Sequence, residues 1–157
     1  MTERDRIREQ LDRSFTGPGW HGPSVHEALA GVTAEQAAAR PIASAHTIWE
    51  MVLHVASWKR IVRLRLAGES PRVEDSDARD WPPVAGAGEA AWRAALAALE
   101  AAHRELIEAV ARLADDRLDD LLEQQPVAGH STIYVQLHGL ALHDVYHAGQ
   151  IMILQRA

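Results

Sequence analysis

The chain has 157 residues, 47% of them hydrophobic and 24% charged, with ten glycines and seven prolines, which describes one globular domain with a real core and excludes a disordered or low-complexity segment. Its formal charge of −6 has the wrong sign for a nucleic-acid binder, which needs a basic surface to displace counterions from phosphates. Cysteine is absent and histidine occurs nine times, so disulfides, thiolate ligands and a cysteine nucleophile are excluded and any thiol chemistry must use an exogenous thiol.

The opening residues "MTERDRIREQ" lack the apolar core of a signal peptide, and nowhere do eighteen apolar residues run together. No membrane partner is expected, and the expected location is cytoplasmic.

No segment alternates like a strand, whereas several long Ala-rich runs have helical spacing, so the chain reads as all-α. The first helix covers about residues 3 to 15, with Thr2 as N-cap and Ile7, Leu11 and Phe15 on one face; "TGPGWHGPS" stops it. Short helical pieces fill residues 24 to 40, where "TAEQ" is a capping box. The second long helix runs from about Thr47 to Ala67, and residues 68 to 88 form a long crossing loop of Pro, Gly and acidic residues, placed either over a site or on the surface.

The third long helix spans about 89 to 113, because Trp92, Leu96, Leu99, His103, Leu106, Val110 and Leu113 alternate steps of four and three. The fourth starts near Ser131 as N-cap and continues to about Gln155. Four long helices with one long crossing connection predict a four-helix bundle.

The run "HDVYHAGQI", residues 143 to 151, places His143 and His147 about 40° apart on a helical wheel, with Gln136 and Gln150 within roughly 20° of His143. Ile133, Leu140 and Ile151 flank this polar stripe on one side and Val135, Leu142 and Ile153 on the other, so the stripe is expected in the middle of an apolar face. H-x-x-x-H on a helix lets two imidazoles reach one ion, although the glutamate of the zincin motif is missing and Asp144 is turned away by about 100°.

"WEMVLHVASW", residues 49 to 58, adds His54, whose face it shares with Thr47, Glu50, Met51, Trp58 and Ile61, while Lys59, Arg60 and Arg63 point away. Three neutral imidazoles would leave a divalent ion with its charge and an open position, as in catalytic sites. Zinc is the first choice, with nickel or iron as alternatives.

The ordered motifs "HTIWEMVLHVASW" at 46 to 58 and "LHDVYHAGQI" at 142 to 151, together with the Trp92 to Leu113 helix, resemble the DinB superfamily of DinB/YfiT-like metal-dependent enzymes over nearly the whole chain. The resemblance implies a four-helix bundle of that type with His54, His143 and His147 as the metal ligands. Among its relatives are S-transferases that use low-molecular-weight thiols such as bacillithiol or mycothiol, and a maleylpyruvate isomerase. The implied function is a metal-dependent enzyme activating a thiol or water toward a small electrophilic substrate; the alternative is a non-catalytic metal-binding stress-response or interaction protein.

Glu50, one turn before His54, is a candidate general base, but "TIWE" at 47 to 50 also makes it the closing residue of a capping box. Gln150 is a candidate for lining the pocket or orienting water. His46 and His103 read as capping and core residues. Lys59, Arg60, Arg63 and Arg65 read as a solvated face, with Arg65 near enough to the His54 side to meet a substrate carboxylate. The back of the last helix, Tyr134, Ala141, Val145, Ala148 and Met152, is also apolar, which predicts either deep burial or a homodimer contact.

Overall fold

The structure, a computed structural model, describes residues 1–69, 71, 78–122 and 132–157. Its helices are α1 (Glu3–Phe15), α2 (Val25–Leu29), α3 (Ala34–Ala38), α4 (Ile48–Leu66), α5 (Gly88–Arg112) and α6 (Ile133–Leu154), with a 3₁₀ turn at Asp115–Arg117. No strand occurs among the described residues, and none of their helices is long and apolar enough to cross a membrane.

Local chemistry fixes most of the starts. Thr2 with Asp5, Ser24 with Glu27, Thr33 with Gln36 and Thr47 with Glu50 each form a reciprocal capping box, which satisfies two orphan helix donors at once. The predicted Ser131 cap lies outside the described residues; Thr132 caps α6, its side chain accepting from the amide of Val135 at 3.2 Å. The acidic centre of the long loop also lies outside them.

The four long helices pack in a ring, α1 against α6, α6 against α4, α4 against α5 and α5 against α1. Two apolar clusters fill the ring. One contains Phe15, Trp49, Val52, Trp92, Leu99 and Ile151, and the other Ile7, Leu11, Val62, Leu106, Val110 and Leu137. Helices α4 and α5 both pass from the first cluster to the second along the chain, whereas α1 and α6 pass from the second to the first. The neighbours α4 and α5 therefore run parallel, and the loop joining them must travel back along the bundle, roughly 28 Å for a 19-residue helix. That return path brings Asp80 and Trp81 beside α4.

Between the two clusters lies a belt of buried polar side chains: Ser14, His54, Lys59, His103, Asp144 and His147. Lys59 corrects the solvated-face expectation. Its side chain and that of Asp144 are both 0% exposed, with Nζ 2.9 and 2.6 Å from the two carboxylate oxygens, and Ser14 Oγ donates to the same carboxylate at 3.3 Å. A wheel of α4 alone shows Lys59 turned from His54, but that direction faces the α1–α6 seam, where Asp144 neutralises it.

Helix α6 requires a second correction. Its back face is only partly buried, with Ala148 inside, Ala141, Val145 and Met152 half-buried and Tyr134 exposed. The flank expected to enclose the imidazoles is instead mostly open, with Leu142 70% and Ile153 60% exposed and Val135 half-buried. The histidine stripe thus sits at the edge of the buried face. A helix apolar nearly all round gives the wheel no boundary to read.

Candidate metal centre

Helix α4 presents His54 from its middle, and α6 presents His143 and His147 from successive turns of the adjoining face. The three ring nitrogens meet: His143 Nε2 lies 2.9 Å from His54 Nε2 and 3.1 Å from His147 Nε2. Two nitrogens on a tetrahedral zinc at 2.0–2.1 Å stand about 3.3 Å apart; the two pairs through His143 are near that spacing, all three donors lie within 4.8 Å of one another, and no other cluster of potential ligands is found among the described residues.

The other ring nitrogens set the tautomers. His54 Nδ1 is 2.6 Å from the carbonyl oxygen of Asp80, and His147 Nδ1 is 2.6 Å from Gln150 Oε1. Carbonyl oxygens only accept, so both Nδ1 atoms must carry the proton and both Nε2 atoms present lone pairs. His143 Nε2 faces two lone pairs with at most one proton to give. With that proton one of the two lone pairs still lacks a donor, and without it three lone pairs meet; a divalent cation resolves either conflict, so the residues present fit a metal.

Burial also keeps the rings neutral. It pushes His143 down to about 3 and His147 down to about 4, each helped by the neighbouring imidazoles, and it lowers His54 against the opposing pull of Asp80. Neutral imidazole is the ligating form.

The crossing loop completes the centre. Trp81 stacks on the His54 ring at 3.9 Å and 11° and on His46 at 3.5 Å and 7°. Asp80 Oδ1 accepts from the indole N–H of Trp58 at 2.8 Å and lies 3.3 Å from His54 Nδ1. Sequence reasoning left this loop as cover or surface and missed both residues. The available signal was "DW" at 80 to 81, an aromatic inside a polar loop opposite an inward histidine.

Glu50 is placed elsewhere. Its carboxylate accepts from the Thr47 amide at 2.7 Å and from Arg40 at 2.8 and 2.9 Å, and it lies 3.3 Å from His46 Nδ1. Against burial, which raises it, the Thr47 amide and Arg40 hold this carboxyl below its ordinary range. The geometry is that of a cap. His103 is in the core, stacked on Phe15 with Nε2 3.1 Å from Asp12 Oδ1. Gln150 does reach the cluster, through His147.

A cavity of about 250 Å3 opens beside His143 in the groove between α4 and α6. Arg65 is buried against it, donating to Gln136 Oε1 at 3.1 Å.

No curated protein matches the chain in sequence. In fold it is similar to the crystal structure of the conserved protein of locus from Enterococcus faecalis, with a TM-score of 0.73 at 18% identity over 99% of this chain and 96% of that one. The sequence model of the DinB superfamily matches residues 19–151, most of the bundle and all three clustered histidines, and the chain therefore belongs to the DinB superfamily.

Proposed function

We propose that the protein is a metal-dependent enzyme in which His54, His143 and His147 hold a divalent ion, zinc first and nickel or iron next, beside a pocket for a small electrophilic substrate. The carrying observation is the convergence of three Nε2 atoms, with the lone pairs of His54 and His147 set by the hydrogen bonds of Asp80 and Gln150. When bound, such an ion supplies Lewis acidity that makes a thiol or water a competent nucleophile at neutral pH.

The chain's own residues do the rest. Asp80 and Gln150 aim the rings, and Trp81 covers the His54 ring and keeps water from that side. With no cysteine in the chain, a sulfur nucleophile enters as an exogenous low-molecular-weight thiol. The cavity against His143 favours turnover over the alternative of a non-catalytic metal-binding stress-response protein, which needs no space beside its ion.

Elemental analysis after gel filtration without chelator tests the site, comparing wild type with His54→Ala and His147→Ala. About one equivalent of metal is expected in wild type and little in either variant. Metal held at the wild-type level by both variants would sink the ligand assignment. A transfer screen with low-molecular-weight thiols and small electrophiles then tests the enzyme reading.

A further inference from the structure

We propose that the open flank of α6 seats a second copy of this chain, packed antiparallel about a two-fold axis level with Asp144. The flank follows a single period. Val135, Gly139, Leu142, Tyr146, Gly149 and Ile153 alternate steps of four and three, the spacing of a coiled-coil seam, and a wheel places all six within about 80° of arc. Val135 is half-buried and the other five are exposed. Such a seam belongs between helices, and here it faces out of the bundle.

The pattern also reads alike from either end. Turned end for end about the level of residue 144, it sets Val135 against Ile153, Gly139 against Gly149 and Leu142 against Tyr146 of the other copy. Large side chains meet at the centre, glycines one layer out and β-branched residues at the ends. The glycines let the two backbones approach while the large side chains pack as knobs into holes. Antiparallel helices also oppose their dipoles. The single copy gives no reason for either glycine: neither has a positive φ, and a Cβ built on either meets nothing within 4 Å, whereas glycine inside a helix is disfavoured against alanine.

Charge singles out a second copy as the occupant. From Ile133 to Leu154 the one Asp, Glu, Lys or Arg is Asp144, which is 0% exposed and held by Lys59. Two identical stripes therefore meet without the self-repulsion that a charged patch meets across a two-fold axis. An anionic membrane or nucleic acid finds no Lys or Arg on this helix to bind.

The area suffices as well. At about 150–200 Å2 for a large side chain, Tyr134, Leu142, Tyr146 and Ile153, exposed by 40–70%, offer roughly 400 Å2 per copy. Doubled, and joined by the half-buried Val135, His138, Val145 and Gln150, this reaches the roughly 1,000 Å2 of a specific contact. Val135 and Gly139 also line the cavity beside His143, so the second copy lies along the mouth of that cavity. The contact does not depend on the metal reading.

Sedimentation equilibrium at micromolar concentration tests it in wild type, Leu142→Glu, Tyr146→Lys, the double variant and Gly139→Leu, with Tm recorded. Wild type should show twice the chain mass of 17.3 kDa. Each single charged variant should dimerise at least tenfold more weakly. The double variant should recover most of that loss, because antiparallel pairing sets the new carboxylate of each copy against the new ammonium of the other, whereas parallel pairing would set like charges together. A monomeric wild type, a dimer indifferent to both single variants, or a double variant no stronger than the singles overturns the proposal. Should the charged variants fail to fold, Gly139→Leu decides, since it adds bulk where the single copy has room: undiminished dimerisation there also overturns it.

Discussion

The Oε1 of Gln150 lies 2.6 Å from His147 Nδ1, which makes that nitrogen the proton carrier and Nε2 the lone pair. Removing such an outer partner from a metal-ligating imidazole lowers affinity by about 10- to 100-fold. Gln150→Ala is therefore expected to weaken metal binding by about that factor, read by competition with a chromophoric chelator, and Gln150→Glu, which keeps an acceptor, should remain close to wild type. Unchanged affinity in Gln150→Ala would remove Gln150 from the centre. At this scale the three histidines and Gln150 were legible in the sequence, because a helix fixes direction at about 100° per residue. Asp80 and Trp81 were not, since a loop has no period and their place depends on the parallel run of α4 and α5. Lys59 was misread because its partner, Asp144, lies 85 residues away, and a wheel shows direction but not what waits there.

Between elements, the Lys59–Asp144 pair joins α4 to α6, and Ser14 adds α1. Asp144 directly follows one of the clustered histidines, so this clamp also restrains the rotation of α6 that aims His143 and His147. Removing one partner of a buried ion pair leaves an uncompensated charge and costs about 3–5 kcal/mol, whereas replacing both by apolar groups of similar volume is often neutral. Urea unfolding should show a loss of that order in Lys59→Ala and a much smaller one in Lys59→Met with Asp144→Val. Ser14 would keep its bond to the Leu11 carbonyl at 3.0 Å. A Lys59→Ala cost below about 1 kcal/mol would mean that water reaches the carboxylate. The four long helices, the cap at Thr2 and the boxes at Thr33 and Thr47 could be read in advance, because capping is a contact over three residues and the α5 seam has a strict period. The open flank of α6 could not, because Leu142 and Ile153 differ from Leu140 and Ile151 only in what packs against them.

Across the molecule, the polar belt places the imidazoles of His54, His103 and His147 in the interior of a bundle, with the half-buried His143 beside them. Burial lowers all four, His103 and His143 to about 3 and His147 to about 4. In the unfolded chain each takes a proton near pH 6.5, so below that pH the unfolded state holds more protons than the folded one. The sign follows: stability is fully present above about pH 6.5 and falls as pH drops toward the folded values, by up to about 1.4 kcal/mol per pH unit for each imidazole. Asp12 and Asp144, whose carboxyls burial pushes up, act in the opposite sense, so the net slope is smaller than the sum. Metal-free protein should therefore lose urea resistance steadily between pH 7 and 5, and His103→Leu should lose it less steeply because one buried imidazole is gone. Stability that is flat over that interval in wild type would mean that the belt admits protons without unfolding, and the neutral interior histidines inferred for the metal centre would have to be abandoned with it.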